Sequence, residues 1–170
     1  MSLSLYQPEE VFSPEVQDLT VDYEVYLVSS DDESVAAEVD RGAELIRHHS
    51  DWLLQGTAER DSHTYFALAT TMEMGRTAIV GASKLLIERS ESRDLVAAWL
   101  SGIAVAPAHR HLGLATGLIR ASERLGSTLG AKEISAVIPS ESGPCYRRLG
   151  YATVRQRGLG GALLASKTLA

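Results

Sequence analysis

The sequence has 170 residues, of which 45% are hydrophobic and 22% are charged, and its formal net charge is −6. This length and composition suit one globular domain that can bury a sizeable core. No apolar run approaches the ~18 residues of a membrane span, and the N-terminus lacks the apolar segment of a signal peptide. We therefore expect a cytoplasmic protein that does not bind membranes. The single cysteine, Cys145, excludes an intrachain disulfide and a zinc site built from several cysteines.

The charge is unevenly distributed along the chain. Residues 1–100 carry 7 basic and 19 acidic side chains, a formal charge of −12, whereas residues 101–170 carry 9 basic and 3 acidic ones, a charge of +6. Because summed charge steers ligands, this split predicts an anionic ligand for the C-terminal part and a cationic one for the rest. An unevenly solvated surface would explain it equally well. The acidic region argues against nucleic acid as a direct substrate.

The first third of the chain predicts an arm, a strand and a helical region. Residues 1–20 contain two prolines and no sustained hydrophobic period, which indicates an irregular arm. The β-branched and aromatic residues at 23–30 predict a strand. Apolar and small residues at helical spacing over 30–55 then predict one long helix or two short helices that meet near Gly42.

The rest of the chain alternates between the two periodicities. Apolar, β-branched runs predict strands at 64–73, 77–88, 94–107, 133–139, 151–156 and 161–169. Helical patterns predict a helix at 113–129 and a short one at 143–150. No repeat or linker interrupts this order, so residues 1–170 are expected to form a single domain.

A candidate anion site lies between the predicted strand at 94–107 and the predicted helix at 113–129. The first N–H groups of a helix have no partner within it, and the helix dipole adds positive charge there. Gly113 allows close approach of a ligand to the backbone, and Ala115 keeps the first helical turn narrow. Arg110 can add a charge-assisted hydrogen bond to a phosphate. The turn is therefore predicted to bind phosphate.

This turn, Arg-x-x-Gly-x-Ala at 110–115, is followed by "CYRRLGY" at 145–151, and together they resemble the GNAT superfamily of acyl-CoA-dependent N-acetyltransferases. The resemblance covers the chain from about Tyr23 to its end. It implies an α/β (α+β) fold: a central, mixed, mostly antiparallel, twisted sheet of about seven strands, flanked by about four helices. It also implies an enzyme that transfers an acetyl group from acetyl-CoA, its cosubstrate, to a primary amine by direct attack in a ternary complex.

Matching the family's motifs position by position implies a set of site residues. Those expected to bind acetyl-CoA are Ile103, Ala104, Val105, Arg110, His111, Leu112, Gly113, Leu114, Ala115, Thr116 and Tyr146. Tyr146 takes the place of the family's general acid, which protonates the leaving thiolate. The Ile103 backbone N–H is expected to stabilise the oxyanion, because the strand that carries it should diverge there from its neighbour. Tyr146 and Ile103 are thus the predicted catalytic groups, and no metal is required.

Two positions depart from the family pattern. Pro139 stands where many relatives have asparagine, seven residues before the tyrosine. Gly102 stands where many have Glu or Asp, so the general base cannot be transferred from the family. The side chains of Glu88, Glu91 and Asp94, or a chain of water molecules, remain as alternatives.

Two alternatives to a small, cationic amine acceptor remain open. The acceptor could instead be a protein N-terminus or a lysine, or the domain could sense acyl-CoA without turnover, since Gly102 supplies no carboxylate. A homodimer is compatible with the resemblance.

Other reactive residue types have simpler explanations. His109 and His111 lack a third ligand at a metal-binding spacing. His48 and His49 lie on a charged predicted helix and are expected to be solvated. Cys145 is expected to pack in its helix rather than to act as a nucleophile.

Overall fold

The computed structural model describes residues 22–49, 62–90, 95–155, 158 and 160–170. The strands, in chain order, are β1 (Tyr23–Ser29), β2 (Ser62–Glu73), β3 (Arg76–Ser90), β4 (Leu95–Val105), β5 (Glu133–Ile138), β6 (Ala152–Arg155) and β7 (Leu163–Thr168). The α-helices of the described residues are α1 (Ala36–His49), α2 (Leu114–Thr128) and α3 (Gly143–Arg148). The predicted arm at 1–20 and the end of the first helical region, 50–55, lie outside the described residues.

The seven strands form one sheet in the order β1-β2-β3-β4-β5-β7-β6. Neighbouring strands are antiparallel except for β4 and β5, which run parallel. Parallel neighbours need a crossover connection, and α2 supplies it. The mixed, mostly antiparallel sheet expected from the sequence is therefore confirmed.

Helix α1 packs on one face of the sheet and runs unbroken through Gly42. A Cβ atom added at Gly42 would lie 2.6 Å from Leu68 Cδ2, so the glycine allows the helix to approach β2 closely. Of the two arrangements that the sequence left open, the described residues thus form one continuous helix that ends at His49.

Helix α2 covers the opposite face of the sheet. Its Leu118 and Ile119 are fully buried, and the Ser122 hydroxyl lies 2.9 Å from the hydroxyl of Ser83 on β3. This buried pair satisfies two polar groups within an apolar interface. Because helices cover both faces, successive residues of β3 are buried, at 80–83 and again at 85–87.

The sheet opens between β4 and β5. Their paired residues are Ala98 with Ile134 and Trp99 with Ser135, at the beginning of both strands. Immediately after this point, the register between β3 and β4 shifts, and Ser101 is the extra residue of a β-bulge. The two strands therefore diverge toward their carboxyl ends and leave a gap in the centre of the sheet.

None of the helices in the described part of the chain has both the length and the apolar character needed to cross a bilayer.

Candidate active site

A cleft of about 250 Å³ lies in the gap between β4 and β5. Three kinds of surface surround it: the bulged part of β4, the end of β5 with the turn that follows, and the facing ends of α1 and α3. The lining residues are His49, Leu100, Ser101, Gly102, Ile103, Val137, Ile138, Pro139, Glu141, Ser142 and Tyr146. Beyond Trp99, the described residues of β4 are no longer paired with β5, while β4 remains paired with β3 on its other side.

Tyr146 reaches the cleft from α3, a short helix with a proline in its first turn. The side chain is 6% exposed, and its ring contacts that of Tyr151 edge-on, with centroids 5.1 Å apart. Burial, and to a lesser degree the electrostatic effect of Cys145, raises the pKa of the Tyr146 phenol well above its ordinary value. The hydroxyl is therefore protonated at neutral pH and can act as a proton donor.

Helix α1 occupies the space beside Gly102. A Cβ atom at this position would lie 2.7 Å from Cγ2 of Ile46, a side chain that is 1% exposed. A carboxylate side chain at this position would overlap Ile46, because the helix occupies the space into which it would project.

Of the three candidate bases named from the sequence, Glu88 lies among the described residues, and it does not line the cleft. Glu88 pairs with Ala97 on β4, before the strands diverge, and it is not among the residues that line the cleft. Glu91 and Asp94 lie outside the described residues.

Two titratable residues that the sequence did not indicate line the cleft instead, namely His49 and Glu141. His49 is exposed, as expected, but it also faces the cleft from the last turn of α1. The usable signal was its spacing, because residues three apart on a helix share a face and Ile46 packs against the sheet. Glu141 lies in the turn after β5, and no sequence signal distinguishes it.

The start of α2 has the geometry of an anion site. The first hydrogen bond of the helix runs from the Gly117 N–H to the Gly113 carbonyl, 3.1 Å apart, so the N–H groups of Leu114, Ala115 and Thr116 have no partner within the helix. Gly113 has φ of 82°, and an added Cβ atom would meet nothing within 4 Å. The backbone here borders open space that a ligand can occupy.

Two neighbours of this turn are fixed in place. Arg110 is exposed and donates from Nε to the Val105 carbonyl at 3.0 Å, which uses one of its five N–H donors. His111 has φ of 63°, in the left-handed region that a non-glycine residue seldom adopts. The guanidinium is thereby held beside the end of β4.

His109 connects the turn before α2 to β1 and to the end of β2. Its Nδ1 lies 2.9 Å from the Tyr23 hydroxyl, and its Nε2 lies 2.8 Å from Glu73 Oε1. Burial, and then the charge of Glu73, raises the pKa of Tyr23. In the segments that the structure describes, no three side chains of His, Cys, Asp or Glu are grouped so that they could hold a metal ion.

The predicted site residues occupy one continuous strip of the molecule. Ile103 and Tyr146 line the cleft, β4 continues through Ala104 and Val105, and the turn from Arg110 to Thr116 follows. The side chains of Ala104 and Leu114 are buried in the core, so only their backbone groups can contact a ligand.

The family comparison covers most of the chain. The sequence model of the acetyltransferase (GNAT) family matches residues 19–151, which is most of the chain. No protein of curated function matches the sequence.

Solved structures share the fold at low sequence identity. A Trypanosoma brucei acetyltransferase superimposes with a TM-score of 0.54 at 19% identity, covering 80% of this chain and 96% of that one. A Klebsiella pneumoniae protein to which acyl-CoA N-acyltransferase activity is ascribed gives 0.53 at 17%, covering 87% and 98%. The N-acetylglutamate synthase of Neisseria gonorrhoeae, bound to coenzyme A and N-acetyl-glutamate, gives 0.57 at 15%, covering 86% and 35%. At such identities the similarity establishes the fold alone.

Proposed function

Because the chain belongs to the GNAT family of acetyltransferases, we propose that it transfers the acetyl group of acetyl-CoA to the primary amine of a small cationic molecule. The observation that carries this proposal is the cleft between β4 and β5, which contains Ile103 and Tyr146 and from which β4 leads to the turn before α2. One ligand with an acyl end and a phosphate end would occupy both places.

The turn fits a pyrophosphate. Three N–H groups at the start of α2 lack a partner within the helix, and the space beside Gly113 and Gly117 is open, since a Cβ atom at either would meet nothing within 4 Å. Arg110 would add a charge-assisted hydrogen bond from its remaining donors. Backbone groups of Ile103, Ala104 and Val105 would hold the arm between phosphate and acyl group.

The chemistry requires a hydrogen-bond donor at the thioester carbonyl oxygen and a proton donor at the sulfur that leaves. Bound acetyl-CoA supplies an electrophilic thioester carbonyl. In our proposal, the Ile103 N–H donates to the carbonyl oxygen as negative charge develops there. The Tyr146 hydroxyl donates its proton to the sulfur that leaves, and its raised pKa keeps that proton available at neutral pH.

A cationic acceptor is supported by charge. The cleft wall contains Glu141, an exposed carboxylate, and residues 1–100 carry a formal charge of −12. Both would attract an ammonium group. A protein N-terminus or lysine would satisfy the same charges, so it stays the second candidate.

The test is thiol release from acetyl-CoA in the presence of a panel of amines: diamines, polyamines, aminoglycosides, basic peptides, and neutral and acidic amino acids. We expect free thiol and an equal amount of N-acetylated product with a cationic amine. Gly113→Asp, which places a carboxylate against the phosphates, is the matched inactive control. Tight binding of acetyl-CoA without thiol release for any amine would instead indicate a sensor. The expected cytoplasmic location and homodimer stay predictions.

A further inference from the structure

We propose that His49 is the group that accepts a proton from the amine, the role for which Gly102 supplies no carboxylate. This inference rests on the proposed function, since it concerns the same cleft. It assigns a catalytic residue at the end of α1, on the wall that the acceptor must approach.

The position of His49 follows from the packing of α1. Ile46 rests on Gly102, with its Cγ2 at 2.7 Å from where a Cβ atom would be. His49 lies three residues further, on the same side of the helix, and it lines the cleft with Gly102, Ile103 and Tyr146. The contact that excludes a carboxylate from β4 thus brings an imidazole to the same cleft.

The chemistry of His49 suits this role. An amine of pKa about 10.4 is almost entirely protonated at neutral pH, so it must lose a proton before it can attack. Histidine is the side chain that ordinarily changes its charge between pH 5 and 8. His49 is in the last turn of its helix, and its exposure lets it release a proton to solvent.

The surrounding charges are compatible with a proton acceptor. From the other walls, Glu141 and Tyr146 share the cleft, and Lys84 of β3 pairs in register with Gly102. On α1 itself, Arg47 and His48 precede it, and His48 lies 3.6 Å from Glu44. Glu141 would stabilise the imidazolium, while Tyr146, neutral because its pKa is raised, would not compete for the proton.

The protons balance over one turnover. His49 takes one proton from the ammonium group, and the free amine attacks the thioester carbonyl carbon, so that a C–N bond forms and the C–S bond breaks. The thiolate takes the proton of Tyr146, and the nitrogen returns its second proton to the Tyr146 phenolate. His49 then releases one proton to solvent, so one proton appears per amide formed.

The test uses the full-length chain and the best amine of the panel. His49→Ala should lower kcat/KM by about 10²-fold or more, within the usual range for a general base, and added imidazole should restore part of it. His48→Ala, which changes the neighbouring histidine on the exposed surface, is the matched control and should leave the rate unchanged. Affinity for CoA, measured by calorimetry, should be unaltered in both.

The pH profile separates proton transfer from a structural effect. In the native protein the rate should rise with pH and level off once histidine is neutral. In His49→Gln, which keeps a polar side chain of similar size, it should continue to rise toward the pKa of the amine. Full activity in His49→Ala, or a loss with an unchanged profile and no rescue by imidazole, would overturn the assignment. Absence of turnover by the native protein would instead overturn the proposed function.

Discussion

Tyr146 illustrates how burial keeps a side chain protonated at neutral pH. A phenol that is 6% exposed and packed edge-on against Tyr151 cannot easily carry a negative charge. Burial raises its pKa, so the neutral form of the phenol dominates at neutral pH. In the proposed mechanism, the leaving thiolate takes this proton as the C–S bond breaks.

Tyr146→Phe should therefore lower kcat by about 10²-fold or more while leaving CoA affinity nearly unchanged, because the ring and its packing remain. Steady-state kinetics with the best amine and calorimetry with CoA measure the two quantities. Tyr26→Phe removes a half-buried tyrosine hydroxyl from β1, away from the cleft, and should keep full activity. Full kcat in Tyr146→Phe, with chemistry shown to limit the rate, would make Tyr146 a packing residue.

At the scale of elements, the contact between α1 and β4 limits which side chains β4 can carry at position 102. Ile46 lies against Gly102, and its branched side chain has little freedom to turn away. A family pattern that places Glu or Asp on the strand would need a different helix position. In our proposal, the general base therefore comes from α1, at His49, rather than from β4.

Gly102→Ala should destabilise the fold by about 1–3 kcal/mol, because the new methyl group overlaps Ile46. Gly117→Ala is the control: its Cβ atom meets open space within α2, so stability should rise by about 0.5–1 kcal/mol. Denaturant unfolding measures both. The cost of Gly102→Ala should fall in an Ile46→Ala background, and an equal cost in both backgrounds would contradict the proposed clash.

The turn before α2 is the second element that a single substitution can test. Gly113→Asp introduces a carboxylate where three helical N–H groups and the open space should receive pyrophosphate. We expect calorimetric affinity for CoA to be largely lost, with a modest fall in melting temperature because a side chain is strained at this positive φ. Gly75→Asp is a matched control, since Gly75 also has a positive φ, 74°, and open surroundings, but lies in the β2–β3 hairpin. Unchanged CoA affinity in Gly113→Asp would place the phosphates elsewhere.

The sequence predicts these elements unevenly. Local patterns identify the strands and α2, and the motifs around Gly113 and Tyr146 predict two ends of the proposed site, since both signals lie within short segments. The contact of Ile46 with Gly102 joins residues 56 positions apart, and no local pattern reports it. The sequence for that reason predicts only solvation for His49 and gives no signal for Glu141. Residues whose role depends on what faces them from another element need the folded structure.

Across the whole molecule, charges of opposite sign lie in two regions of the chain, and each region suits one of the two proposed ligands. The region that holds the turn for phosphates carries +6, and the region before it carries −12. Such fields attract ligands of opposite sign and weaken as salt screens them over a Debye length of about 10 Å at 0.1 M. The division suits an anionic cosubstrate and a cationic acceptor in one molecule.

KM for a cationic acceptor should therefore rise several-fold as ionic strength increases, whereas KM for a neutral acceptor of similar size should change little. Glu141→Gln should weaken the salt dependence, because it removes the carboxylate on the cleft wall. Initial rates at a series of salt concentrations measure this. A preference for neutral or anionic amines across the panel would refute a cationic acceptor.

Acetyl transfer itself is tested most directly by following acetyl-CoA and the amine panel together, with thiol release and acetylated product quantified in the same reactions. The proposed mechanism predicts one free thiol for each N-acetylated amine with at least one cationic acceptor, and loss of both signals in Gly113→Asp. Saturable binding of acetyl-CoA with neither thiol nor acetylated amine for any acceptor would contradict it.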